Sequence, residues 1–244
     1  MLEGLYSAAA GMEAQQQHLD SISNDIANLD TPGYQSERVG FEDLLYSAAG
    51  PAEGAGVSVG AGAALTSLGS SQVSAGVQQT GQPLDLAISG NGYFEVKQPG
   101  GTIALTRNGQ FQLDAKGQIV TGSGMIVQPP ITVPRGTDPS DISISGDGSV
   151  TVAGKTLGKL AIVTVAAPAQ LTPAGNSLLA PGSASGAPHA ATGATVIQGS
   201  LNNSDVDLAS SMTQMIDAEQ GYSMASKAID MEAQMAQIAN QVRG

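Results

Sequence analysis

The chain contains no cysteine and no tryptophan, and aromatic residues fill only 3% of its 244 positions. Without Cys, disulfides and thiolate metal sites are both excluded. The compartment stays open, because a reducing interior and a secreted assembly can each do without them. With three Phe and five Tyr, the side chains that bury most area are scarce, so the core must come from small aliphatics and backbone pairing. Basic residues are scarce as well: nine Lys and Arg stand against 21 Asp and Glu, for a net charge of −12. That balance argues against a nucleic-acid partner and an anionic membrane surface, both of which draw on clustered cations. The longest apolar run, Leu160 to Ala167, is far below the roughly 20 residues that span a bilayer, so no membrane insertion is expected. Residues 1–37 hold no Lys or Arg and are interrupted by Glu3, Glu13 and Asp20, so a cleavable signal peptide is not expected either.

Chemistry-bearing patterns are equally sparse. The two histidines, His18 and His189, stand far apart with no HExxH spacing, which leaves a metal site without ligands. No Gly-x-Ser-x-Gly elbow occurs, and Ser123 between Gly122 and Gly124 reads as a turn residue. The Gly-Ala-Gly repeats at 54–56 and 60–62 lack the phosphate-loop Lys. Glu42-Asp43 and Asp205/Asp207 fit solvation and helix capping better than acid/base work. No catalytic residue, cofactor or metal is expected, and the chain reads as a non-enzyme.

What is present is helical periodicity at both ends. Leu5, Met12, Leu19 and Ile26 recur every seven residues, with Ala8, Gln15, Ile22 and Leu29 three positions later. These are the a and d positions of a heptad, so residues 1–29 read as a helix with a narrow apolar seam. Thr31-Pro32-Gly33 stops it, since Pro restrains the residue before it and Gly permits the turn. At the other end, after Ser204-Asp205, Leu208, Met215, Tyr222 and Ile229 begin a second seam. It passes beyond Gly221 to Met224, Met231 and Ile238 beside Ala228, Met235 and Val242. Two packings fit such seams: an antiparallel pair within one molecule, and a coiled coil between molecules. Gln15 to Gln17 and Ser23-Asn24-Asp25 add uncharged hydrogen-bonding groups suited to a helix with several neighbours.

Between the helices the pattern changes. Residues 40–81 begin with Phe41-Glu42-Asp43-Leu44-Leu45-Tyr46 and continue Gly/Ala/Ser-rich, reading as an extended, weakly ordered connector. From Leu84 onward short β-branched runs alternate with Asn91-Gly92, Asn108-Gly109 and Lys116-Gly117, the grammar of an all-β meander. Strands are expected at 86–88, 93–96, 103–106, 111–113, 119–121, 125–127, 142–144, 150–152, 160–165 and 195–198, with a long surface loop over 168–194. The fold class is therefore α+β: N- and C-terminal helices paired as a coiled coil and joined through a connector to a central all-β domain. The expected segments are 1–34 (N-terminal helix), 35–80 (connector), 81–200 (β-rich outer domain) and 201–244 (C-terminal helix).

Ala27-Asn28-Leu29-Asp30-Thr31-Pro32-Gly33-Tyr34 resembles the Ala-Asn-x-x-Thr-Pro-Gly-Tyr/Phe signature of the bacterial flagellar rod and hook proteins. Leu19 to Ile26, Gly90-Asn91-Gly92-Tyr93-Phe94, Thr106-Arg107-Asn108-Gly109-Gln110-Phe111, Gly117 to Thr121 and Gln198 to Val206 are similar to further family segments in the same order. Asn202 stands where the family often has an acid. Phe41 to Tyr46 and Val127 to Pro134 look most like the distal rod members.

The resemblance implies a subunit of the basal-body rod, exported unfolded by the flagellar type III apparatus and spanning the cell envelope. It would polymerise with copies of itself into a hollow helical tube that transmits torque from motor to hook. Its neighbours would be proximal rod and hook or hook-junction proteins, with bushing rings around the rod. The expected assembly interface is Leu5, Met12, Leu19, Ile22, Ile26, Asn28, Thr31, Pro32, Gly33, Tyr34, Leu208, Met215, Tyr222, Ile229, Met231, Met235 and Ile238. A proximal rod subunit and a rod-associated wall hydrolase are the rival readings.

Overall fold

The computed structural model describes residues 2–44, 46–49, 57–73 and 75–243. The chain divides into two compact units that interleave in sequence: residues 1–27, 37–68 and 207–244 form one, and residues 28–36 and 69–206 form the other.

The first unit is helical. Helix α1, Leu2–Ala27, and helix α2, Leu208–Arg243, pack against each other. They run antiparallel: Gly4 lies against Glu232 and Gly221 against Gln15, so a step of eleven residues along α1 is a step of eleven back along α2. Asp207 caps α2, its Oδ1 accepting the Ala209 N–H at 3.2 Å, the satisfaction that a helix start requires. The helix runs on past Gly221, as its seam does, and the missing Cβ makes room for Gln15, whose Cδ would stand 2.9 Å from any Cβ there.

The same unit holds a two-stranded ribbon rather than a weakly ordered connector. Glu37–Asp43 pairs with Ala63–Ser70, and Tyr46–Ala49 with Val57–Gly60; Leu45 and residues 50–56 lie outside the described residues. Backbone pairing, not side-chain alternation, orders this Gly/Ala/Ser-rich stretch. Gly62, at φ +105°, seats the ribbon on α1 beside Ser7 and Ala10. His18 of α1 meets Phe41 edge-on, with centroids 5.5 Å apart.

The second unit is antiparallel β. Its main sheet runs in the order Thr172–Pro173, Leu178–Ala180, Ile103–Thr106, Tyr93–Lys97, Ile126–Val127, Ile119–Thr121, Phe111–Leu113, with Ile162–Thr164 also on Tyr93–Lys97 and His189–Ala190 beyond it. A three-stranded meander of Ile142–Ile144, Ser149–Val152 and Lys155–Lys159 packs on it, with Leu86–Ser89 pairing to Thr195–Gln198. The core is Leu86, Ile88, Phe94, Val96, Phe111, Ile119, Val127, Val150 and Leu160. Phe94 and Phe111 meet edge to face at 5.0 Å, the geometry that aromatic quadrupoles favour. The strand at Lys155–Lys159 and the short strands inside 168–194 were not expected from the sequence.

Candidate functional site: the helix pair and the motif clamp

The expected interface residues fall into three places. Ile22, with Ala14 and Ala218, is buried in the helix pair, while Leu5, Met12, Leu19, Ile26, Met215, Tyr222 and Ile229 are half-buried. Ile22 lies seven residues on from Gln15, and Met215, Tyr222 and Ile229 recur every seven residues beside the buried Ala218, which sets them on the faces the helices turn to each other. Leu208, Met231, Met235 and Ile238 are exposed. Asn28, Thr31, Pro32, Gly33 and Tyr34 belong to the β unit.

Those last five residues form one side of a clamp. The turn is closed locally: the Thr31 N–H donates to the Asn28 carbonyl, the Thr31 hydroxyl to Asn28 Oδ1, and the Tyr34 N–H to the Thr31 carbonyl. Gly33 then takes φ +67°, and a Cβ there would stand 2.4 Å from the Arg107 carbonyl carbon and 2.6 Å from the Asn108 nitrogen. Its N–H donates to the Asn202 carbonyl at 2.8 Å. Asp205 fastens the next residues, its N–H donating to the Tyr34 carbonyl and its Oδ1 accepting the Ser36 N–H at 2.7 Å. The Ser71 N–H closes on the Ser36 carbonyl.

Asn202 is the buried post of this clamp. Its Oδ1 accepts the Ile88 N–H at 2.8 Å while its Nδ2 donates to the Ile88 carbonyl at 3.0 Å. An ionised acid has no proton to give that carbonyl, so the amide at this position fits its environment. Arg107 donates to the Gly90 carbonyl and lies over the Tyr93 ring, whose hydroxyl is shared between the side-chain oxygens of Gln35 and Gln72. Burial pushes the Arg107 guanidinium below its ordinary value, and Tyr93 and Asp205 pull it back up. Sequence reasoning found the three motif words around 31–34, 106–109 and 200–206 but not that they meet. No local spacing encodes a contact across 169 residues.

Among the described residues no group of three metal-ligating side chains converges, and no helix is long and apolar enough to cross a membrane. Ser123 bonds to Thr121 within its turn at 3.0 Å.

Family comparisons place a chain of this build, a terminal helix pair and an antiparallel β unit, among the flagellar rod and hook proteins. Residues 5–35 match the flagella basal body rod protein family, residues 87–152 the flagellar hook protein FlgE/F/G D1 domain, and residues 197–242 the C-terminal region of flagellar basal body rod FlgEFG proteins. The flagellar basal-body rod protein FlgG of Caulobacter vibrioides is 36% identical over 99% of this chain and 100% of its own length. That of Bacillus subtilis is 38% identical over 94% of each. A hook protein FlgE from Helicobacter mustelae is 38% identical over 52% of this chain and 30% of its own length. The chain belongs to the FlgG family of flagellar basal-body rod proteins, the distal-rod branch. It is a structural protein of the basal-body rod and not an enzyme.

Proposed function

We propose that the chain polymerises with copies of itself, through its terminal helices, into the hollow helical shaft of the distal rod, transmitting torque from motor to hook. The observation that carries this is the amount of large apolar side chain that the fold leaves open on α2, including Leu208, Met231, Met235 and Ile238. A lone molecule gains nothing from such exposure, whereas each side chain buried on assembly contributes on the order of 1.5–3 kcal/mol.

Load passing between the helical unit and the β unit must travel through the places where the chain crosses between them, after residues 27, 36, 68 and 206. Within the β unit, the clamp of Gly33, Ser36, Ser71, Asn202 and Asp205 ties together the chain next to three of these crossings. Proximal rod proteins below, hook or hook-junction proteins above, the type III export apparatus and surrounding bushing rings are the partners this position in the envelope calls for.

The test is electron microscopy of basal bodies from a deletion strain complemented with the chain or its Ile26→Asp variant. The deletion should truncate the structure above the proximal rod. The native chain should restore the distal rod and hook, and Ile26→Asp should not. A deletion strain that still builds full-length rods would overturn the proposal.

A further inference from the structure

Three places in the chain set an Asn or Asp directly before a glycine: Asn91-Gly92, Asn108-Gly109 and Asp147-Gly148. Such a pair is chemically labile. Glycine has no Cβ to shield its nitrogen, so that nitrogen can reach the side-chain carbonyl carbon of the residue before it and close a succinimide ring. How tightly the fold holds each pair decides whether the ring forms.

Two of the three are held. Asn108 Oδ1 accepts the Gln110 N–H at 3.0 Å, and the Asn108 N–H donates to Thr106 Oγ1 at 3.0 Å. The Gly109 carbonyl accepts the Leu86 N–H at 3.0 Å, and a Cβ on Gly109 would overlap the Leu86 carbonyl. In the third pair Asp147 accepts both the N–H and the hydroxyl of Ser149, and the Gly148 N–H is itself donated to the Ser145 carbonyl at 2.9 Å. Side chain and nitrogen meet in these two pairs only at the cost of hydrogen bonds.

Asn91-Gly92 differs. Asn91 is exposed in the bend between Leu86–Ser89 and Tyr93–Lys97. Among the described residues none bonds its amide or the Gly92 N–H. Packing demands the glycine, since a Cβ at residue 92 would stand 2.7 Å from Ile162 Cγ2. The fold thus keeps a labile pair and leaves its amide loose.

We infer that Asn91 is a site of spontaneous modification, converting through a succinimide to aspartate and isoaspartate while Asn108 of the same folded molecule persists. The Gly92 nitrogen gives its proton to water and bonds to Asn91 Cγ. The Cγ–Nδ2 bond breaks, and Nδ2 takes up a proton and leaves as ammonia. Water then opens the ring. Attack at Cγ yields aspartate, whereas attack at the main-chain carbonyl yields isoaspartate, in which the backbone runs through the former side chain and gains one carbon.

That carbon enters the clamp between two of its anchors. Just before Asn91, the Gly90 carbonyl accepts Arg107; just after Gly92, Tyr93 lies under the same guanidinium and its hydroxyl bonds Gln35 and Gln72. A longer chain between Gly90 and Tyr93 cannot present both to Arg107 as before, so the modification loosens the clamp as the molecule ages.

The test incubates the purified full chain in water carrying the heavy oxygen isotope and maps its peptides by mass spectrometry. In the folded chain Asn91 should take up label about tenfold faster than Asn108, which must first release Gln110. In guanidinium chloride the two should react alike. No label at Asn91, or a gap between the two that survives unfolding, overturns the inference.

A second arm reads the clamp. Aged native chain should unfold at a lower urea concentration than fresh chain, while Asn91→Gln, whose longer side chain closes the ring far more slowly, should keep its midpoint on ageing. Fresh Asn91→Asp, with the charge but not the added carbon, should match fresh native chain. An aged, converted chain as stable as a fresh one overturns the loosening, and a fresh Asn91→Asp chain already as weak as the aged one overturns the role of the added carbon.

Discussion

The backbone of Gly33 rests on the backbone of Arg107, with no room between them for a side chain. The first residue ends the turn that follows α1 and the second leaves the strand Ile103–Thr106, so two distant sequence motifs are one packed contact.

Gly33→Ala should therefore destabilise the β unit by about 2–4 kcal/mol, from the positive φ and the overlap with Arg107 and Asn108 together. Urea unfolding of the full chain, followed by Tyr fluorescence, measures it. A midpoint equal to that of the native protein would mean the close approach is not real.

The helix pair has its own close approach. Gly221→Leu should push Gln15 aside and cost about 1–3 kcal/mol, which thermal melts followed by helical circular dichroism detect. Truncating the opposing side chain in Gln15→Ala/Gly221→Leu should restore much of the loss. A double variant as unstable as the single one would place the strain elsewhere.

His18 gives the helical unit a pH response. Partial burial beside Phe41 lowers its pKa below the ordinary 6.5, so the unfolded chain takes up the proton more readily than the folded one. The stability this gives is present above 6.5 and is lost as pH falls through the lower folded value. Replacing the imidazole in His18→Gln should flatten the fall in melting temperature between neutral pH and the acid side of that value. Parallel slopes for the two proteins would show that the carboxylates alone carry the acid response.

Much of the fold was legible because it rests on local periodicity. The heptads at Leu5–Ile26 and Met215–Ile229 marked both helices, and the β-branched runs marked by Asn-Gly and Lys-Gly turns located most strands of the core. What stayed hidden depends on pairing between segments that carry no local signal. Lys155–Lys159 has only a half-buried Leu157 to announce it, and it is a strand because Ser149–Val152 lies alongside.

The segments Glu37–Asp43, Tyr46–Ala49, Val57–Gly60 and Ala63–Ser70 look like parts of a tether by composition and become strands by hydrogen bonding to one another. Within the candidate site, the motif words were readable but their meeting point was not. Asp205, which the sequence offers as a helix cap, is instead engaged with Ser36, and Asp207 does the capping.

The clamp also dictates when folding can finish. Gly33, Tyr34 and Ser36 have partners at Asn202 and Asp205, 169 or more residues later. A polypeptide emerging from its N-terminus leaves these groups to water until nearly all of the β unit has followed. Closing so long a loop costs chain entropy, so the clamp locks only when the last strand has arrived.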